Sequence, residues 1–243
     1  MRAWRDRIRG VALALIVGLF AHAGSAAAYS ADWYYVLVFG SQSDPKRLKY
    51  THTWATFVRA TGEGQDPSAY ALQSHTISWY PASREVKVFS PFPEQGVNLT
   101  LEETLAEVGR TKEKVKLWGP FLLKKEVYDR SLEIYRLAQT DLPRYRAISN
   151  SLDMLVSDCI HAVAACDPTF GRNHYPLIRI GHPASRFIAR EIMVRSLEER
   201  GLDQSLHDHS WLIPRLGLCH RGIEVIAPRV IPHRRCFLCT VGP

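Results

Sequence analysis

The apolar positions of this chain repeat with two different periods, and the change from one to the other divides it. Up to residue 89 they come in short aromatic and β-branched runs. Trp33-Tyr34-Tyr35-Val36-Leu37-Val38-Phe39 is nearly continuous and predicts a buried strand. His52-Thr53-Trp54-Ala55-Thr56-Phe57-Val58 predicts another. A period of two places His52, Trp54, Thr56 and Val58 on one face and Thr53, Ala55 and Phe57 on the other. His75 to Tyr80 predicts a further strand, with His75, Ile77 and Trp79 on one side. The turn Pro81-Ala82-Ser83 leads into Val86-Lys87-Val88-Phe89 as its hairpin partner.

The period then lengthens. Thr100-Leu101-Glu102-Glu103 is a capping box, predicting an amphipathic helix through about Val108. Lys124 to Ala138 predicts a second helix, and Leu142 to Asp153 a polar connector. A third helix opens at Val156-Ser157-Asp158-Cys159-Ile160-His161-Ala162-Val163. Ser157 is placed as its N-cap and Asp158 in its first turn, where the helix dipole favours negative charge. Ala184 to Leu197, with Phe187, Ile188, Ile192 and Val194 apolar, predicts its packing partner. Beyond Gly201 the pattern is irregular apart from a short strand at Gly222 to Ala227. The sum is an α+β fold.

Composition adds limits. The chain has 243 residues, 46% hydrophobic and 23% charged, which suits one globular domain with decorations. Residues 1–28 have the form of a signal peptide. Arg2, Arg5, Arg7 and Arg9 make a basic start, Val11 to Ala21 an apolar stretch too short to span a bilayer, and Ala26-Ala27-Ala28 a small-residue cleavage site. The expectation is an exported protein, periplasmic or secreted, with no stable membrane span after cleavage. The formal charge is +7, and four arginines and one aspartate of it lie in residues 1–28, leaving +4. No lysine and arginine block is present, so nucleic acid is not an expected partner.

The cysteines are Cys159, Cys166, Cys219, Cys236 and Cys239. An exported chain favours disulfides, and an odd number leaves at least one thiol outside a pair within the chain. Cys159 and Cys166, seven residues apart on one helix, would lie about 10 Å apart, too far to bridge. With Cys159 set aside, the other four allow two disulfides of undetermined connectivity. Cys219, His233, Cys236 and Cys239 also offer a set of zinc-type ligands, the alternative to disulfides there.

Cys159 carries the candidate chemistry. A helix N-terminus lowers a thiol pKa and supplies unpaired amides for an oxyanion. His52 and His75 each open a predicted strand. If those strands pair, two imidazoles lie on one sheet face near the helix start, one to activate the thiol and one to orient the first. Tyr50, sharing the face of His52, and Tyr145 are weaker candidates to donate to an oxyanion. The other reading of Cys159 is a small buried residue at the start of a core helix.

His52-Thr53-Trp54-Ala55 on a strand, a second histidine-bearing strand, and later Asp158-Cys159-Ile160-His161-Ala162 at a helix start resemble the circularly permuted papain-like proteins. These comprise the permuted NlpC-type cysteine hydrolases and the lecithin–retinol acyltransferase-like enzymes. The resemblance covers mainly residues 50–80 and 156–166. It implies a small antiparallel sheet packed on the cysteine helix, a domain over residues 29–200 with 96–144 as a helical insertion or cap, and a cysteine-containing tail over 201–243. It also implies Cys159 as nucleophile, His52 as general base and His75 as orienting residue. Asp158 stands where the acyltransferases have Asn, and a carboxylate beside a thiol raises its pKa. The function implied is an exported hydrolase or acyltransferase acting on an amide or ester of a cell-wall peptide or lipid, through an acyl-thioester and without a cofactor. The alternatives are a non-catalytic envelope binding module on the same fold, and a disulfide- or zinc-stapled interaction protein.

Overall fold

The computed structural model describes residues 31–63, 69–149, 155–168, 179–193 and 209–226. The predicted signal peptide, His233, Cys236 and Cys239 lie outside them.

The apolar run at the start becomes β1 (Ala31–Gln42), paired antiparallel with β2 (Thr51–Gly62) on one side and β6 (Lys114–Leu122) on the other. β3 (Ala71–Ile77) extends the sheet beyond β2, and β9 (Ile223–Ile226) extends it beyond β6, giving the order β3-β2-β1-β6-β9. The first four strands are antiparallel and β9 runs parallel to β6. Because β1 is central, its side chains are buried on both faces. Val36 and Val38 enter one core with Ala55, Phe57 and Ile77, and Tyr35, Leu37 and Phe39 enter the other with Trp54 and Val58.

Helices cover both faces. α1 (Leu101–Arg110) and α5 (Leu212–Arg215) pack on the Trp54 side through Val108, Leu212 and Ile213. α2 (Lys125–Leu137), the cysteine helix α3 (Cys159–Ala164) and α4 (His182–Phe187), which continues as a π-helical turn to Met193, pack on the Phe57 side. α4 approaches β1 and β2 where Gly40 leaves room. A Cβ at Gly40 would run into the Ser185 side chain, whose hydroxyl meets Thr53 Oγ1 at 2.8 Å. A second, four-stranded sheet of β4 (Trp79–Pro81), β5 (Glu94–Asn98), β7 (Arg144–Tyr145) and β8 (Val156–Ser157) carries the chain into α3. The fold is therefore a mixed α+β arrangement with two small mixed sheets.

Three expectations are corrected. Residues 96–144 are no helical insertion, since they supply β6, a strand beside the centre of the main sheet. Tail residues 223–226 form β9 within the same sheet. Val86–Phe89 is not the hairpin partner of the third strand. Ser78 ends β3, and β4 pairs instead with β5.

The capping box at Thr100 forms as expected. Thr100 Oγ1 accepts from the Glu103 amide at 3.2 Å, and the Glu103 carboxylate accepts from the Thr100 amide at 2.8 Å. Thr100→Ala removes the first of these bonds at an exposed helix start, and chemical denaturation should show a loss of about 1 kcal/mol.

Candidate functional site

Cys159 begins α3, but the residue that caps the helix is Asp158 and not Ser157. Asp158 has extended backbone, and its Oδ1 accepts from the Ile160 amide at 2.9 Å and the His161 amide at 2.8 Å. A carboxylate reaches two orphan amides where a serine hydroxyl one residue earlier does not. The second oxygen, Oδ2, accepts from His161 Nδ1 at 2.7 Å and from the Ser149 amide at 3.3 Å. His161, two residues after the cysteine, thus has a carboxylate partner, a pairing that the i, i+3 spacing of Asp158 and His161 permits and that the sequence reading did not draw.

The thiol itself is buried, 7% exposed. Burial raises its pKa to about 12, and the adjacent Asp158 charge pushes the same way. The backbone amides of Thr53, Cys159 and Ile160 oppose this shift, although that of Ile160 is engaged by Asp158 Oδ1. The depression beside α3, lined by Ile77, Trp79, Ser157 and Ala162 among others, encloses about 20 Å³, room for a single water.

The two candidate histidines are not brought together. His75 stands opposite Phe57 in the β2–β3 register, so it shares the Phe57 face. His52 alternates with Trp54 and takes the other face, its ring stacked on Trp54 at 5.4 Å and tilted against Tyr80 at 3.9 Å. His52 also lies past the last β2–β3 pair, Ala55 with Ile77. Among the described residues no hydrogen bond joins either histidine to Cys159.

Each histidine has a hydroxyl partner instead. His52 Nε2 meets Ser78 Oγ at 2.9 Å, Ser78 Oγ meets Thr104 Oγ1 at 2.8 Å, and Thr104 Oγ1 meets the Thr100 carbonyl at 2.7 Å. The Thr104 hydroxyl donates to Ser78 Oγ or to the Thr100 carbonyl, and Ser78 Oγ pairs with His52 Nε2. His75 Nε2 donates to Ser131 Oγ at 2.8 Å, because the Ser131 hydroxyl donates to the Tyr128 carbonyl at 2.6 Å. Burial lowers the His52 pKa to about 3, and burial followed by the Arg136 charge lowers that of His75 to about 4. A thiol held near 12 and an imidazole near 3 do not exchange a proton at neutral pH.

Tyr145 is buried on the core that holds Cys159, and burial raises its pKa well above the ordinary phenol value, with the Cys159 and Asp158 charges as further causes. Tyr50 lies in the turn before β2 under the Lys49 ammonium, 4.8 Å from its ring. Cys159 and Cys166 are free thiols in the Phe57-side core, while Cys219 packs against the opposite core. A Cys166–Cys219 bridge is thereby excluded. Among the described residues no cluster of metal-ligating side chains occurs, and no helix is long and apolar enough to cross a membrane.

No family model matches the chain, and neither a curated protein nor a solved structure matches it.

Proposed function

We propose that the chain is an exported, non-catalytic binding module of the cell envelope, built on a permuted papain-like core in which Cys159, His52 and His75 are structural. The observation that carries this reading is the enclosure of the thiol. Its sulfur is buried beside the Asp158 carboxylate, and the one-water depression next to α3 is lined by Ser157 and Ala162 and not by Cys159. An amide or ester substrate needs a cleft that places its carbonyl about 3 Å from the nucleophile.

The second reading is the thiol hydrolase or acyltransferase, with Cys159 as nucleophile, His52 as base and His75 as orienting group. It is supported by the backbone amides of Thr53 and Cys159, which lower the thiol pKa and are donors of the kind that stabilises a thiolate or an oxyanion. It requires the sulfur to become accessible and the His52 ring to leave Ser78.

The pH dependence of Cys159 alkylation separates the two. In the folded protein the thiol should stay unmodified from pH 6 to 9, as should that of His52→Ala, with the modified residue identified by peptide mapping. Alkylation of Cys159 well below pH 8 that disappears in His52→Ala overturns the binding-module reading.

A further inference from the structure

The segment from Ala82 to Pro93, within which Val86–Phe89 was expected as a strand, leaves the fold as a loop that ends in two phenylalanines exposed almost as fully as in an unfolded chain. Phe89 is 84% exposed and Phe92 79%. Their presentation is fixed locally. The Ser90 amide donates to the Lys87 carbonyl at 3.1 Å, and the Ser90 side chain donates to the Phe92 carbonyl at 3.1 Å while accepting from the Phe92 amide at 3.3 Å. Pro91 and Pro93 restrict the backbone around Phe92. The loop is anchored at its far end, where Arg144 Nη2 donates to the Pro93 carbonyl at 3.3 Å.

The surroundings of the pair are apolar and basic. The β5–β7 pairing of Glu94 with Tyr145 brings the end of the loop to β7, and Ile148, three residues further on, is also exposed. Arg84 and Lys87 belong to the loop, and Arg144 meets its end at Pro93. Of the nearby acids, Glu94 is engaged by Ser83 at 2.7 Å and Lys87 at 3.8 Å, which leaves Glu85 as the one acidic side chain of the loop without such an ion pair. Aromatic rings on an exposed loop that also carries cations match a bilayer surface, where rings sit at the headgroup level and cations meet anionic lipid.

We propose that Phe89 and Phe92 dock the protein on an anionic phospholipid surface. Both rings enter the interface, while Arg84, Lys87 and Arg144 face the lipid phosphates. The proposal rests on the envelope placement above for the membrane it would meet, and not on whether Cys159 is catalytic. The alkylation experiment and the lipid experiment can therefore fail separately.

The test is local to the tip, because residues 1–28 carry their own apolar stretch. The full chain is prepared with 4-trifluoromethyl-phenylalanine at position 92, and its fluorine resonance is followed on adding phosphatidylcholine bicelles with and without phosphatidylglycerol. The expected result is a shift with the anionic bicelles that added salt weakens, and strong broadening when a chain-labelled nitroxide lipid is included. Phe89→Ser combined with Phe92→Ser should reduce partitioning onto anionic vesicles by at least about 10-fold with an unchanged thermal midpoint, since both rings are exposed in the fold. A resonance that bicelles leave unmoved overturns the proposal. So does one already shielded from a water-soluble relaxation agent before lipid is added, because the rings are then covered by a second copy, another protein or the chain itself.

Discussion

Lowering the pH from 7 to 5 should cost the folded protein about 4 kcal/mol, most of it through His52 and His75. Each imidazole is neutral and buried in the fold, with pKa values of about 3 and about 4, against 6.5 for an unconstrained histidine. The unfolded chain gains a proton at each as the pH falls below 6.5, and the folded chain does not. The stability these groups confer is therefore complete above 6.5 and is lost progressively as the pH falls towards their folded pKa values. At pH 5 the deficit is about 2 kcal/mol for each group, from 1.36 kcal/mol per pH unit.

The sign is opposite for Glu113, whose carboxyl is raised mainly by burial, so that its neutral form favours folding as the pH drops. The lowered carboxyls of Asp32, Asp44 and Glu103 shift down from ordinary values of 3.8 to 4.5, below this window. Comparing urea midpoints at pH 7 and pH 5 for wild type and for His52→Gln combined with His75→Gln isolates the two histidines, because the carboxylate effects cancel in the difference. The variant should lose less than half as much as wild type. Equal losses would mean that both imidazoles titrate near neutrality in the fold, the condition a general base needs.

The sequence made the local rules visible and left the long-range ones hidden. β1 and β2 announce themselves because side chains buried on both faces leave long apolar and aromatic runs, and α1 because its capping box is a contact over three residues. The relation of His52 to His75 depends on the β2–β3 register. One residue of slip would have put both on one face, and no local pattern sets that register when both faces are buried. β6 alternates over Lys114-Val115-Lys116-Leu117, but the run is short and the Gly119-Pro120 pair inside the strand reads as a break, although the strand lies beside β1. Val86 to Phe89 has the composition of a strand but no partner edge, since β5 occupies the one beside β4. Composition predicts what a segment can form, and pairing decides what it does form.

At the cysteine helix the sequence identified the right residues and exchanged two roles. Ser157 was the expected cap, yet Asp158 does the capping, and this sets a large effect on stability. Asp158→Ala should destabilise the protein by about 3–5 kcal/mol, the range for removing one partner of a buried charged contact. It leaves the Ile160, His161 and Ser149 amides and His161 Nδ1 without the acceptor they share. Asp158→Asn should cost less. Its oxygen retains the two helix amides, and His161 can move its proton to Nε2 so that Nδ1 accepts from the new amide group. The Asn variant also removes the negative charge that helps hold the Cys159 pKa up, so that pKa falls. Burial, the larger cause, is untouched, and alkylation of folded Asp158→Asn at pH 8 should remain as slow as in wild type. Rapid alkylation there, in a variant whose urea midpoint shows it to be folded, would mean that the carboxylate and not the enclosure keeps the sulfur inert. The amides of Thr53 and Cys159 would then lie beside an accessible nucleophile, and the hydrolase reading would displace the structural one.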